Sequence, residues 1–182
     1  MKILAIGTSS SKQSINRALA TYAAGLVADA KVETVDINDY EMPLFSSDRE
    51  TTLGSPPEAR DFYRIIGEAD ALVLAFAEHN GTYTAAWKNL FDWTSRIDQK
   101  VFQDKPAVYL STSPGARGAA SVLAEAVNSA PFFGAEVVAS QSLPRFNQVF
   151  DMEAGELKPG QARETLEQAM TALEQRVLLQ VA

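Results

Sequence analysis

Short runs of β-branched and aliphatic residues alternate along this chain with longer segments in which apolar residues recur every three or four positions. The short runs predict β-strands, and the longer periodicity predicts amphipathic helices. The predicted strands are residues 2–7, 32–36, 71–77, 107–111 and 136–140. Helical spacing covers residues 14–29, where the helix is expected to stop just before Asp29. The other predicted helices are residues 57–69, 85–97, 119–133 and 161–179. Two stretches, 38–55 and 142–158, follow neither pattern and are predicted to be loops.

The strand runs 2–7, 71–77 and 107–111 are apolar almost throughout. Such strands are typical of parallel sheets that helices cover on both faces. The run 32–36 alternates partly between apolar and polar residues, which indicates a strand nearer an edge. The alternation of strand and helix predicts an α/β fold, a three-layer, doubly wound arrangement around a parallel five-stranded sheet. We favour the flavodoxin-like strand order 2-1-3-4-5, because it needs no sixth strand.

The chain has 182 residues, 46% of them apolar, and no apolar run long enough to cross a bilayer. This size fits a single domain over residues 1–182. The apolar opening is too short for a signal peptide and is interrupted early, at Gly7. These features and the absence of cysteine are compatible with a cytoplasmic protein that has no membrane association.

Charge and residue types exclude several kinds of chemistry. Sixteen Lys and Arg against 23 Asp and Glu give a net charge of −7, which argues against nucleic acid as a partner. Without cysteine there is no disulfide, thiolate zinc site, iron–sulfur cluster or cysteine nucleophile. His79 is the single histidine, so a site that needs two imidazoles is excluded and no metal site is predicted. Any bound anion has to be held locally, by a loop.

The first candidate loop follows strand one, because doubly wound sheets bind ligands beyond the carboxyl ends of strands one and three. Residues 7–16 carry five hydroxyl side chains and Lys12 and lead into a helix N-terminus. Free backbone N–H groups and the positive end of the helix dipole favour a phosphate monoester there. A plain helix N-cap explains the same residues equally well. The loop has neither the Gly-Lys-Ser/Thr ending of a nucleoside triphosphate site nor the glycines of a dinucleotide fingerprint.

Two further loops are predicted at the same edge. The second loop begins with Glu78, His79, Asn80 and Gly81, and its Asn-Gly pair alone indicates an exposed turn. A hydrolase triad built on the histidine is disfavoured, because the chain has no Gly-x-Ser-x-Gly elbow. The third loop contains Ser113, Gly115, Arg117 and Gly118. It is either a turn before a helix or a small-residue loop that lets backbone N–H groups approach a flat ring.

These three loops carry a family resemblance. Gly7-Thr8-Ser9 with Ser14-Ile15-Asn16 is similar to a Gly-Ser…Ser-x-Asn phosphate loop. Glu78-His79-Asn80-Gly81 and the segment from Trp87 to Trp93 are similar to Pro-Glu-Tyr-Asn-Gly followed by Leu-Lys-Asn-Ala-x-Asp-Trp, and this block is the most specific. Ser113-Pro114-Gly115 with Gly118 is similar to a glycine-rich flavin loop. From strand one to about Leu143 the chain thus resembles the NAD(P)H-dependent FMN reductases of flavodoxin-like fold, which include quinone, chromate and azo-dye reducing members.

The resemblance implies FMN as cofactor and NADPH or NADH as co-substrate. It implies cofactor contacts from all three loops, at Ser9, Ser11, Ser14, Ile15, Asn16, Glu78, His79, Asn80, Gly81, Ser113, Gly115 and Gly118. Arg117 is expected either to reinforce the flavin contacts or to bind the phosphates of the nicotinamide substrate. No catalytic side chain is expected, because hydride passes from nicotinamide C4 to flavin N5 and then, in ping-pong fashion, to a quinone, a nitro or azo compound or free flavin.

The chain departs from the family pattern in two places. Ser10 stands where the family commonly has arginine, in a loop one residue longer, so Lys12 or backbone donors are expected to replace that charge. Ala77 and His79 stand in place of proline and tyrosine. This second departure leaves open which side chain packs against the flavin ring.

The predicted helix 85–97 is more aromatic than a solvent-facing helix requires. Core packing explains some of this, whereas the resemblance implies a homodimer or homotetramer interface near the flavin, with Trp87, Phe91, Trp93 and Arg96. Lys88 and Asp92, four residues apart, are predicted to form a surface ion pair. The later loop contains Arg145, Phe146, Asn147 and Phe150. These residues either form a roof over a substrate pocket or cover the sheet edge.

Two alternatives to a reductase stay open. One is a non-enzymatic, flavodoxin-type electron carrier, whose acidity would suit docking to basic partners. The other is an α/β module that binds a phosphorylated metabolite without flavin. All flavin-based hypotheses share one spatial condition: the serine-bearing loop and the His79 segment must meet in a single cleft.

Overall fold

The computed structural model describes residues 1–181. Its central sheet consists of β1 (Lys2–Gly7), β2 (Lys31–Asp36), β3 (Ala71–Phe76), β4 (Lys105–Thr112) and β5 (Ala135–Leu143). The strand order is β2-β1-β3-β4-β5, and every neighbouring pair is parallel. The predicted fold class and strand order are therefore confirmed, and β2 lies at an edge as its alternating pattern indicated.

Helices cover both faces of this sheet. Within the described residues they are α1 (Ile15–Ala24), α2 (Ser47–Leu53), α3 (Pro57–Glu68), α4 (Ala85–Thr94), α5 (Ala120–Ser129), α6 (Phe146–Val149) and α7 (Gln161–Val181). Side chains of α1 and α7 share one apolar cluster, and those of α3, α4 and α5 share the other. Because strand side chains alternate, Ile3 of β1 belongs to the first cluster and Leu4 to the second.

The prediction of a loop over residues 38–55 is wrong. A 3-10 turn occupies Ile37–Tyr40, and α2 follows at Ser47–Leu53. The Ser46 side chain caps α2 by accepting a hydrogen bond from the backbone N–H of Arg49. No residue of α2 is buried, so this helix has no apolar stripe from which periodicity could detect it.

Residues 142–158 also contain more regular structure than the predicted loop. β5 continues to Leu143, α6 follows, and a short antiparallel hairpin pairs Phe150–Asp151 with Glu156–Leu157. Phe146 and Phe150 are buried and stack with ring centroids 4.7 Å apart. They belong to the α1 and α7 cluster, so these two rings cover the sheet.

Three helices end at least three residues earlier than predicted, and one of them, α4, stops at Thr94 and not at residue 97. α1 stops at Ala24 because the next residue, Gly25, is a poor helix former. The N–H of Gly25 closes the last turn of the helix. Leu26 and Val27 continue the apolar pattern but lie in a turn. α5 stops at Ser129 and tightens into a 3-10 turn that ends at Gly134 in the left-handed conformation. Within residues 1–181, no helix combines the length and apolarity needed to span a membrane.

Candidate functional site

Three polar loops lie together at the carboxyl ends of β1, β3 and β4. They are residues 8–14, 77–84 and 113–119, and the parallel register brings all three strand ends to the same edge of the sheet. β1 and β3 are neighbours although the last residue of β1, Gly7, and the first of β3, Ala71, are 64 positions apart in the chain. This is the point where the strand order reverses, at which doubly wound folds bind their ligands.

Gly7 allows α1 to begin close against the end of β1. A Cβ atom at this position would lie 2.4 Å from the backbone nitrogen of Arg17 and 2.5 Å from its Cα. Both atoms belong to the backbone of α1, so neither can turn away as a flexible side chain would. The first glycine of the predicted phosphate loop therefore sets the distance between the loop and the sheet.

The first loop presents unpaired backbone donors at the start of α1. The Ser14 hydroxyl caps the helix by accepting from the N–H of Arg17 at 3.0 Å, and Ser9 Oγ accepts from the N–H of Ser11 at 3.2 Å. The N–H groups of Ile15 and Asn16 have no protein acceptor among residues 1–181. The loop thus combines the capping serine of the simpler interpretation with free donors suited to an anion.

The Asn16 side chain is committed to the protein. Its Nδ2 donates to the Thr112 carbonyl at 3.3 Å, and its Oδ1 accepts from the Thr112 N–H at 3.1 Å. Asn16 is buried, so this amide links the first loop to the start of the third. The Asn16 side chain is therefore already engaged, and only the backbone N–H of Asn16 is free for a phosphate. The predicted contact of Asn16 with a phosphate stays a prediction.

Two threonines join the first loop to the second. Thr8 is fully buried, and its Oγ1 accepts from the N–H of Ala77 at 2.9 Å. The buried Thr84 donates through its own hydroxyl to the Thr8 carbonyl at 2.6 Å and also caps α4. The serine loop and the His79 segment are therefore adjacent, as the flavin hypothesis requires.

We expect Thr8→Val to test this junction. Valine keeps the shape of threonine but leaves the buried Ala77 N–H without an acceptor, which costs about 1–3 kcal/mol of unfolding free energy. Urea denaturation followed by circular dichroism measures this loss. Thr21→Val is the matched control, because the Thr21 hydroxyl contacts only the exposed Thr34 hydroxyl. Equal stability of the two variants would contradict the importance of the junction.

The second loop is a two-residue β-hairpin. Glu78–His79 pairs with Thr82–Tyr83, and the turn residues Asn80 and Gly81 have φ angles of +54° and +87°. Two positive φ angles are the geometry that Asn-Gly favours in a tight hairpin. The imidazole of His79 is exposed, as are the turn residues. The Asn-Gly turn is confirmed, and its exposed face is open to a ligand.

Glu78 holds this hairpin against α5. Its carboxylate accepts from the backbone N–H of Val122 at 3.0 Å, within the first turn of that helix. The carboxylate therefore satisfies an end-of-helix donor and is attracted by the helix dipole. The structure gives Glu78 a positioning contact, and its predicted cofactor contact is not tested.

The third loop is anchored through its backbone. The carbonyls of Ser113 and Gly115 accept from the N–H groups of Phe146 and Arg145 at 3.1 and 2.9 Å. Gly118 has φ +58°, and its carbonyl accepts from the Ser111 hydroxyl at 2.7 Å. Arg117 between them is exposed, and within residues 1–181 its guanidinium takes part in no ion pair. A cation is thus presented on a fixed loop beside the other two.

Arg17 holds the first loop in place, a role that the sequence reasoning missed. Its guanidinium pairs with Asp36 at the end of β2 and donates to the Lys12 carbonyl at 2.6 Å. Burial raises the pKa of Asp36, but hydrogen bonds from Asn38 and the charge of Arg17 outweigh it and lower the pKa overall. The sequence contained a signal for this ion pair, because Arg17 is in the first turn of α1 and Asp36 ends the neighbouring strand.

Most aromatic residues of α4 belong to the core. Trp87 and Trp93 are buried, and Trp93 Nε1 donates to the Pro43 carbonyl at 2.7 Å. Phe91 is half-buried. Outside this helix, Arg96 pairs with Glu50 at 2.8 Å. The predicted Lys88–Asp92 pair is confirmed, at 2.6 Å.

The strand order and the flanking helices define the class of protein as a flavodoxin-like one. Comparison with known proteins gives the family. The family model described as NADPH-dependent FMN reductase matches residues 1–147. An NAD(P)H-dependent FMN reductase of Pseudomonas aeruginosa is 33% identical over 181 residues, 96% of this chain and 94% of that protein.

One further relative and one solved structure are similar to this chain. A 2-hydroxy-1,4-benzoquinone reductase of a Burkholderia species is 35% identical over 122 residues, 66% of this chain and 64% of that protein. The solved structure of FerB, a flavoenzyme NAD(P)H:(acceptor) oxidoreductase of Paracoccus denitrificans, superposes with a TM-score of 0.76 at 22% identity, covering 97% of both chains. The chain belongs to the NADPH-dependent FMN reductase family. Membership confirms the predicted enzyme class, an oxidoreductase, and the expected pairing of FMN with NAD(P)H.

Proposed function

We propose that this protein is an FMN-dependent NAD(P)H oxidoreductase that reduces a quinone or another small organic acceptor. The observation that supports it most directly is the hydrogen-bonded junction of the three loops, through Thr8 to Ala77 and through Asn16 to Thr112. When bound, FMN supplies the redox chemistry, taking a hydride from the nicotinamide and passing two electrons to the acceptor, the two substrates using the site in turn.

The first loop would hold the phosphate of FMN. Its free N–H groups at Ile15 and Asn16 lie at the positive end of α1. The Ser14 hydroxyl accepts from Arg17 and so keeps its own proton to donate. Hydroxyls of Ser9 and Ser11 complete the donor set, and Lys12 adds a positive charge at the exposed tip. This donor set fits a phosphate monoester.

The flavin ring would lie between the hairpin and the third loop. One wall of this flavin site would consist of the exposed residues His79, Asn80 and Gly81. The N–H groups of Gly115 and Arg117 have no protein acceptor among residues 1–181, so the opposite wall offers donors toward a ring that gains negative charge on reduction. Gly115 and Gly118 bring backbone close to a flat ring because they carry no side chain. The Arg117 guanidinium would bind a phosphate of the nicotinamide substrate.

The acceptor and the assembly are further parts of the proposal. A relative named as a benzoquinone reductase supports a quinone, and azo compounds, nitro compounds and free flavin are the other candidates. We propose a homodimer or homotetramer formed through the exposed side of α4, in a cytoplasmic setting. Light scattering during size-exclusion chromatography measures the assembly, and steady-state oxidation of NADPH and NADH with each acceptor measures the activity.

A charge reversal in the first loop tests the phosphate assignment. Ser11 is exposed, and a carboxylate placed there a few ångströms from a phosphate costs about 1–4 kcal/mol. For Ser11→Glu we therefore expect the Kd of FMN to rise about tenfold or more. Riboflavin, which has no phosphate, should bind both proteins equally. Quenching of flavin fluorescence measures both ligands.

Ser47→Glu is the matched control, because Ser47 is an exposed serine in the first turn of α2. It should leave FMN affinity unchanged and add a favourable helix-dipole contact. If the wild-type protein bound riboflavin as tightly as FMN, the first loop would not hold a phosphate.

A further inference from the structure

Two arginines of this chain have guanidinium groups without a protein partner. Seven of the nine arginines form an ion pair or donate to a backbone carbonyl: Arg17, Arg49, Arg60, Arg64, Arg96, Arg163 and Arg176. Within residues 1–181, the guanidinium groups of Arg117 and Arg145 do neither, and both residues are exposed. The proposed function gives Arg117 a role, but it does not use Arg145.

Hydrogen bonds hold the backbones of these two arginines together. The Ser142 hydroxyl near the end of β5 donates to the Arg117 carbonyl at 3.3 Å. The N–H of Arg145 donates to the Gly115 carbonyl at 2.9 Å. The third loop and the segment after β5 therefore form one connected surface. Two positive charges with no protein partner are carried on this surface, beside the proposed flavin site.

Arg145 has a backbone conformation that arginine seldom adopts. Its φ and ψ angles are +53° and +49°, in the left-handed region, where any residue with a Cβ is less stable than glycine. The N–H groups of Arg145 and Phe146 hold this conformation by bonding to the third loop. Glycine could form the same backbone bonds with less strain. Strained residues are concentrated at ligand sites, so the conformation points to a role for the Arg145 side chain.

The charges favour a phosphate as the ligand of this side chain. A net charge of −7 repels a polyanionic coenzyme, so unpaired cations at the site have to attract it locally. NADPH differs from NADH by one phosphate monoester on the adenosine ribose, a group with a charge of about −1.5 to −2 at neutral pH. A guanidinium binds phosphate oxygens through paired N–H donors, and two guanidinium groups match a dianion.

We propose that Arg145, together with Arg117, binds the 2′-phosphate of NADPH and thereby makes the enzyme prefer NADPH to NADH. This inference rests on the proposed function and extends it from the reaction to the choice of coenzyme. Arg145 is a specificity-determining residue in this proposal, because NADH has no phosphate for it to bind.

Calorimetric titration of NADP⁺ and NAD⁺ into the FMN-saturated protein tests the proposal. The oxidised coenzymes do not reduce FMN, so the titration measures binding alone. We expect the wild type to bind NADP⁺ about tenfold or more tightly than NAD⁺, and Arg145→Gln to lower this ratio about fivefold. Arg145→Lys keeps the charge but loses the paired donors, so it should restore the ratio only in part.

Lys31→Gln is the matched control. Lys31 is also exposed and takes part in no ion pair among the described residues, but it begins β2 at the opposite edge of the sheet. This variant removes the same charge and should keep the wild-type ratio. An equal fall of the ratio in both variants would mean that overall charge, and not Arg145, selects the coenzyme.

Arg145→Gly separates a binding role from a structural one. Glycine relieves the strain of the left-handed backbone, so this variant should unfold at a higher urea concentration than the wild type. Its ratio of NADP⁺ to NAD⁺ affinity should nevertheless fall as far as that of Arg145→Gln. A less stable Arg145→Gly protein with an unchanged ratio would show that the arginine serves the fold.

Two further results would overturn the proposal and leave the proposed function intact. The wild type could bind both coenzymes equally. Arg145→Gln could also keep the ratio but lower kcat/KM for the anionic acceptor anthraquinone-2-sulfonate relative to the neutral acceptor menadione, in which case the arginine would bind acidic acceptors. Failure of the wild type to bind FMN, measured by quenching of flavin fluorescence, would refute the proposed function and this inference with it.

Discussion

Gly7→Ala should lower the free energy of unfolding by about 3 kcal/mol or more and weaken FMN binding at least tenfold. A Cβ at Gly7 would lie 2.4 Å from the Arg17 backbone nitrogen, so α1 must move away from β1. Forced overpacking costs about 1–3 kcal/mol and more where backbone must shift. The same shift would redirect the free N–H groups of Ile15 and Asn16. Urea denaturation and FMN titration measure the two effects.

Gly25→Ala is the control for this prediction. Gly25 has φ −69°, and its added Cβ would meet its nearest atoms at 3.4 and 3.5 Å, which is ordinary contact. Alanine there should be neutral or slightly stabilising, since it restricts the unfolded chain more than glycine does. A Gly7→Ala protein as stable as Gly25→Ala would show that α1 does not need its close approach to the sheet.

Gly118→Ala should have the second largest effect, through two separate causes. The φ angle of +58° costs a non-glycine residue about 1–2 kcal/mol. In addition, the Cβ would lie 2.5 Å from Ser142 Oγ and 2.7 Å from the Pro144 backbone nitrogen, which adds about 1–3 kcal/mol. The third loop would separate from the end of β5, and we expect FMN affinity to fall with it.

Gly155→Ala isolates the first cause. Gly155 has a similar φ of +72°, but a Cβ there would meet nothing within 4 Å. This variant should lose only the stability that the left-handed backbone costs, and it should bind FMN like the wild type. Equal losses in the two variants would mean that the contact of Gly118 with the β5 end contributes nothing to stability or to the loop.

The two glycines show how this site is built. Many of its polar side chains hold the loops together by hydrogen bonds: Asn16 bonds to Thr112, Glu78 to Val122 and Thr8 to Ala77. What remains open to a ligand is largely backbone N–H groups, which cost no side-chain entropy to position. A site of this kind is sensitive to backbone displacement, and substitutions at its exposed tips that add no charge should affect it less.

Periodicity predicted the five sheet strands well because strands covered on both faces must be apolar along their length. β3 is buried at every position. The same reasoning missed α2, whose residues are all at least partly exposed and therefore leave no apolar pattern. Periodicity also predicted that α1 continues beyond Gly25, because the apolar pattern extends into the turn that follows the helix.

The amino-acid sequence by itself determined the five strands, the three polar loops and the family resemblance, since each depends on local pattern or on motifs within a few residues. The strand order was favoured from the sequence, and the structure confirmed it. Only the tertiary structure decided which polar groups those loops leave free. Asn16 and Thr112 are 96 positions apart, and Thr8 and Ala77 are 69 apart. Hydrogen bonds between such distant residues depend on the packing of the whole sheet, so no local pattern encodes them.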